Sequence, residues 1–416
     1  MASTLTTVFV ALLVITTLTR VWLGRRHVSY IQAHRNEVPA AFTSSISLDA
    51  HQKAADYSTA KTRLVMAEST AQAILLGVLT VGGGLLLIDD VWRGMLPENE
   101  MIRGALVILT AFLVSSLIEL PFDYYKSFVV DQHFGFNKMT PAMFFSDLVK
   151  HSIVGLLLGA PILFAALALM GSSGDYWWFY LWVVWSVFNL LMLAIYPTFI
   201  APLFNKFSPL ADESLKSRIE ALLTKCGFKS QGLFVMDGST RSSHGNAYFT
   251  GFGSSKRVVF FDTLLDRLDA NEIEAVLAHE LGHFKHHHVI KRIILMFVVS
   301  FLGLALLGWL KNQGWFYEGL GVTQPSDYMA LLLFLLVSPV FLFLLRPLMA
   351  SYSRKNEFEA DEYAAKNADA KYLVEALVKL YRDNASTLTP DPLHSAFYDS
   401  HPPASIRISK LAKFTG

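Results

Sequence analysis

Apolar residues gather into seven stretches set apart by polar ones: Leu5 to Leu23, Ala71 to Ile88, Gly104 to Leu120, Ile153 to Met170, Tyr176 to Ile195, Ile293 to Leu310 and Tyr328 to Leu345. A bilayer takes about 20 residues of helix to cross, so each stretch is long enough, or nearly so, to be a transmembrane helix. The first lacks a basic leader and is followed by Arg25 and Arg26, which marks it as a retained span and not a cleaved signal. Two polar segments remain, 201–292 and 346–416. In the first, Leu215, Ile219, Leu222 and Leu223 recur at helical spacing and Gly227 ends the pattern. Short β-prone runs come next at Leu233 to Met236, Ala247 to Phe252 and Val258 to Phe261. Asp269 and Glu272 then form a capping-box pattern, opening a helix with Ile273, Val276, Leu277, Leu281 and Phe284 on one stripe. In the tail, Arg354 to Asp383 reads as helix, and Pro390, Pro392, Pro402 and Pro403 punctuate the remainder of the chain. The expected organisation is five spans in 1–200, an α+β loop domain in 201–292, two spans in 293–345 and a polar tail in 346–416.

Composition supports a membrane protein: 53% of residues are hydrophobic and 17% charged, with a mean hydropathy of +0.40. Lys and Arg number 35 against 34 Asp and Glu, which excludes the strong basic excess of a nucleic-acid binder. The single cysteine, Cys226, has no internal partner for a disulfide. Short connections carry orientation, because Lys and Arg accumulate on the cytoplasmic side. Arg25, Arg26, Arg35, Lys53, Lys61 and Arg63 mark the first connection, whereas 171–175 holds no basic residue. The expected topology puts Met1 outside and both polar segments in the cytoplasm.

Residues 279–283, His-Glu-Leu-Gly-His, form an HExxH motif on the capped helix. Histidines four apart lie one turn along the same face and can bind one ion. Glu280 sits about 100° from His279 and about 60° from His283 around that helix, beside the ion and outside its ligand set, where a general base belongs. His286, His287 and His288 come directly after, so a His-rich surface helix is the plainer alternative. A catalytic zinc takes three protein ligands. The tail offers Glu357 and Asp361, also four apart, of which one can ligate while the other hydrogen-bonds a ligand imidazole. Glu359 points elsewhere on that helix.

Through these and further motifs the chain resembles the type I CAAX prenyl protease family of membrane zinc endopeptidases. The match runs nearly end to end: residues 51–57 (HQKAADY), 135–138 (GFNK), 196–205 (YPTFIAPLFN), 246–248 (NAY), the HELGH core, 357–361 and 401–403 (HPP). The resemblance implies a multi-spanning α-helical fold, with about seven transmembrane helices enclosing a chamber and a small cytoplasmic α+β metalloprotease portion. It implies cleavage near the C-termini of prenylated peptides. It makes His279, His283 and Glu357 the ligands of one catalytic Zn2+, Glu280 the base and Asp361 the partner of a ligand histidine. His401 and Arg407, spaced as in the family's His-Pro-Pro-x-x-x-Arg, become transition-state helpers. Asn246, Ala247 and Tyr248 resemble the edge strand that binds substrate backbone, and His288 falls on another family histidine.

The expected partners are a peptide or protein substrate and the bilayer, with no nucleic acid. The lack of long insertions favours a bacterial inner membrane over the endoplasmic reticulum. The enzyme alternative is a broader protease that clears damaged membrane proteins. A site-2-type protease does not fit, because its HExxH lies inside a span. The remaining alternative is a catalytically silent multi-span carrier with structural zinc, against which Glu280 argues, because closed zinc sites need no base.

Overall fold

The computed structural model describes residues 1–228, 232–250 and 257–414. Each expected span has a helical counterpart. In chain order the membrane helices begin with α1 (Ala2–Ala33), α2 (Leu48–Leu79), α3 (Gly84–Met95), α4 (Glu100–Tyr125), α5 (Pro141–Ser172) and α6 (Trp177–Ile195). The polar portion continues with β1 (Phe207–Pro209), α7 (Glu213–Lys225), β2 (Leu233–Met236), β3 (Ala247–Thr250), β4 (Arg257–Phe261), α8 (Asp262–Leu265) and α9 (Ala270–Lys285). After it come α10 (His288–Leu310), α11 (Gly314–Gly319), α12 (Asp327–Leu342), α13 (Arg346–Asn367), α14 (Ala370–Asp383), α15 (Pro392–Tyr398) and α16 (Ala404–Leu411). Among the described residues six helical segments are long and apolar enough to cross a membrane, and the bent pair α2 and α3, counted as one span, brings the number to seven.

That pair departs from the expected single stretch of Ala71 to Ile88. The chain turns by 56° between α2 and α3. Thr80 leaves helical geometry with ψ near −97°, and Gly83 takes φ +79°, a left-handed conformation that glycine adopts at little cost. Buried Asp89 then anchors α3 to α12 by accepting from the Tyr328 hydroxyl at 2.7 Å, and Arg93, one turn on in α3, pairs with it at 2.8 Å. The first polar connection is also shorter than expected. Helix α1 runs on to Ala33, and Ser47 caps α2 by accepting from the Ala50 N–H. Arg35 forks onto Asp56 at 2.8 and 2.7 Å to hold the two helix ends together.

Among the described residues the sheet has four strands in the order β1-β2-β4-β3. Strand β1 has no counterpart in the hydrophobic pattern, being short and ending in Pro209. Strands β2 and β4 are parallel, with Phe234 opposite Val259, and β3 runs antiparallel to β4, with Tyr248 opposite Val259. One face of the sheet, through Leu233, Val258 and Phe260, packs with Ile219 and Leu222 of α7 on Ile273, Leu277 and Leu281 of α9. Strand β3 is left at the sheet edge. The expected strand reached Phe252, and its last two residues lie outside the described ones.

The expected tail helix is two helices. Ala368 is extended and the Asp369 side chain caps α14 by accepting from the Lys371 N–H, a local hydrogen bond that competes with continuing the helix.

Several motifs in the first half serve as joints between the membrane helices and the polar portion. Arg241 forks onto Asp147 of α5 at 2.9 and 3.3 Å and reaches the Asn205 side chain at 3.1 Å. Its carbonyl accepts from the Lys138 N–H at 3.1 Å, just after the left-handed turn at Gly135, φ +81°. Nearby, the Tyr57 hydroxyl donates to Asp131 at 2.7 Å.

Candidate metal centre

Helix α9 starts where its sequence says it should. The Asp269 carboxylate accepts from the N–H groups of Asn271 and Glu272, and Glu272 reaches back to the Asp269 N–H at 2.8 Å. Lys379 of α14 neutralises the buried Glu272 at 2.6 Å. A turn from its end, α9 crosses α13 at Gly282. A methyl group there would lie 2.8 Å from the Ala360 Cα and 3.0 Å from its carbonyl oxygen. Only glycine permits that approach, and the approach carries Glu357 to the two histidines.

The three side chains close a triangle. His279 Nε2 and His283 Nε2 are 3.3 Å apart, and each lies 3.4 to 3.5 Å from a different Glu357 oxygen. Ligands held about 2.0 to 2.1 Å from a tetrahedral zinc are separated by about 3.3 Å. Glu357 is buried, and its Oε2 has no hydrogen-bond partner. A buried carboxylate oxygen left in that state costs free energy that a cation would recover. The residues therefore fit a metal ion.

Asp361, one turn beyond Glu357, lies 2.9 Å from His279 Nδ1 and fixes that ring with Nε2 towards the triangle. Arg407 is buried, and it donates to Asp361 from Nε at 2.9 Å and from Nη2 at 2.6 Å. Its Nη2 is 3.4 Å from His279 Nδ1, so Arg407 braces the pair from behind. His401 is different: 61% exposed, it presents Nε2 3.4 Å from Glu357 Oε1, at the open side of the site.

His283, the other histidine of the triangle, has an orienting chain that the sequence did not reveal. His283 Nδ1 is 3.0 Å from His288 Nδ1, and His288 Nε2 is 3.0 Å from Glu359 Oε2. Glu359 thus faces this chain, not open solvent. The histidine position at 288 was a signal; its partner across α13 was not readable from spacing.

These contacts set the charge states. Burial disfavours the protonated form of His279, but its hydrogen bond to Asp361 and the nearby Glu357 carboxylate outweigh that and raise its pKa to about 9. His283 is pushed down to about 4, by burial first and then by His279. An ion needs both rings neutral, so binding releases the His279 proton. Burial raises the pKa of Glu280, which suits a group that must carry a proton between steps.

Asn246, Ala247 and Tyr248 stand at the edge strand. The Asn246 carbonyl accepts from the Phe261 N–H at 2.9 Å, and the alternation of an antiparallel ladder turns the Ala247 backbone to the open edge. There the Ala247 N–H donates to the Asn246 side chain at 2.8 Å. Tyr248 points to the opposite sheet face, near Phe261.

Residues 27–206 match the family model described as CAAX prenyl protease N-terminal, five membrane helices, and residues 209–415 match Peptidase family M48. A CAAX prenyl protease 1 homolog from Arabidopsis thaliana is 38% identical over 76% of this chain and 75% of its own. The chain belongs to the CAAX prenyl protease 1 family. The Homo sapiens homolog is 32% identical over 84% of this chain and 85% of its own. A crystal structure of S. mikatae Ste24p superposes with a TM-score of 0.90 at 30% identity, covering 98% of this chain and 99% of that one. Family and fold together make this a multi-pass integral-membrane metalloendopeptidase.

Proposed function

We propose that this family member holds one catalytic zinc on His279, His283 and Glu357 and hydrolyses peptide bonds near the C-termini of prenylated CAAX-type substrates. The triangle of ligand atoms at 3.3 to 3.5 Å carries the metal assignment, and the names of the curated relatives support the substrate class. When bound, zinc supplies a Lewis acid that acidifies water and polarises a carbonyl.

The remaining chemistry belongs to side chains. Glu280 takes a proton from the attacking water and delivers it to the leaving amine nitrogen. His401, exposed at the open side, donates to the oxyanion as the carbonyl becomes tetrahedral. Arg407 acts through Asp361, holding the carboxylate that orients His279. The outward-facing backbone of β3 at Ala247 pairs with an extended substrate once Asn246 releases the N–H it occupies. Glu68 of α2 and Glu119 and Asp123 of α4 lie within membrane helices, and Gln72 donates to Glu119 at 2.9 Å. Ionisable groups at such positions face the bundle interior or a water-filled cavity, which supports a hydrated chamber beneath the site.

Loop charge supports a cytoplasmic site with Met1 on the opposite side, and the lack of long insertions favours a bacterial inner membrane. With Cys226 replaced by serine, a cysteine placed at Ser405 should react with an impermeant reagent only after cells are opened. Labelling of intact cells would reverse the orientation. The substrate proposal is tested by mass spectrometry of products from matched prenylated and unprenylated peptides. Preferential cleavage of the prenylated peptide supports it, and equal cleavage of both would indicate the broader protease.

A further inference from the structure

Immediately beyond the catalytic triangle, the α9–α10 junction brings together three metal-ligating side chains that the proposed mechanism does not use as ligands. His286 ends α9, His287 takes the left-handed conformation with φ 58°, and His288 begins α10. This reversal swings the His286 and His288 rings onto one side, nearly parallel at 15° with centroids 5.5 Å apart. Glu359 of α13 faces both. Its Oε2 is 3.0 Å from His288 Nε2 and 3.9 Å from His286 Nδ1, and one donor atom from each of the three lies within 4.8 Å of the others.

We propose that His286, His288 and Glu359 form a second zinc site, and that its occupancy inhibits the enzyme. Two imidazoles and a carboxylate are a zinc donor set, and the two measured separations bracket the roughly 3.3 Å edge of a tetrahedral zinc. Access differs from that of the triangle. His288 is buried, but the His286 side chain is 40% exposed, so an ion arrives from solvent and its fourth position stays open to water. Lys355 sits 3.8 Å from the other Glu359 oxygen, and its side chain, 74% exposed, is free to swing away.

Inhibition arises from proton placement, and it rests on His283 binding the catalytic ion through Nε2. That leaves the His283 proton on Nδ1, where it donates to His288 Nδ1 across 3.0 Å. The His288 proton is then on Nε2, donating to Glu359. A second ion requires the lone pair of His288 Nε2, which moves the His288 proton to Nδ1. Two N–H groups would then face each other where one hydrogen bond had been, and His283 would lose the partner that orients it. Loss of such a partner typically lowers metal affinity or activity by about 10- to 100-fold.

The test counts zinc by elemental analysis on purified full-length protein in detergent, first washed with a chelator and then equilibrated at buffered micromolar free Zn2+. Wild type should go from one zinc per chain to two, with turnover falling about 10- to 100-fold. His286→Ala should keep one zinc and the basal turnover, which shows an intact catalytic site, and should resist the added metal. No second zinc on wild type, or a second zinc still taken up by His286→Ala, would overturn the site. Two zinc ions with unchanged turnover would overturn the inhibitory coupling through His283. Failure of the catalytic assignment reads differently, as loss of the first zinc that does not track Glu357.

Discussion

Glu280→Gln should yield a folded, zinc-loaded protein whose turnover is lower by about two to four orders of magnitude, the usual contribution of a positioned acid-base group. The amide keeps the shape of the carboxylate beside His279 and leaves the ligand triangle untouched. It cannot accept a proton from water. The loss should therefore fall on turnover and spare peptide affinity, which single-turnover kinetics and peptide binding would separate. The effect should exceed that of His401→Ala, because an oxyanion donor only lowers a barrier that the base makes passable. A mutant retaining more than about a tenth of wild-type turnover would exclude Glu280 as the base.

The second large effect arises where nothing catalytic is removed. Gly282→Ala should abolish high-affinity metal binding and lower activity by at least about 10²-fold, the scale expected when reacting groups move by about 1 Å. The added methyl would lie 2.8 Å from the Ala360 Cα and 3.0 Å from its carbonyl oxygen. These are backbone atoms, which cannot turn aside as a flexible side chain could. Helices α9 and α13 must separate, and Glu357 leaves with α13. Because the obstruction is backbone, Ala360→Gly should not rescue the variant. Wild-type zinc content in Gly282→Ala would show that the close crossing is dispensable.

Much of this architecture was legible in the sequence for physical reasons. Span positions come from the apolar length a bilayer demands, and α9 was marked by its capping box and its stripe from Ile273 to Phe284. The histidine pair and Glu280 are set by helical spacing. Glu357 was not: spacing left it level with Asp361, and only the resemblance separated them. Contacts between elements distant in sequence stayed hidden. The break at Thr80 to Gly83 lies inside a continuous apolar run, so hydropathy passed over it. The anchoring of Asp89 by Tyr328, the Arg407 fork onto Asp361 and the pairing of Glu359 with His288 all join residues whose proximity is set by packing. Arg407 shows the consequence most clearly. The family resemblance implied a place at the transition state, whereas its burial behind Asp361 favours a role transmitted through His279.

The proposed function stands on α9 and α13 together holding one ion. Elemental analysis of chelator-washed wild type and Glu357→Ala, purified without added metal, addresses it most directly. We expect about one zinc per wild-type chain and a small fraction of that in the mutant, with activity lost in parallel. Equal zinc in the two proteins would remove Glu357 from the metal site and contradict a catalytic centre built on these two helices.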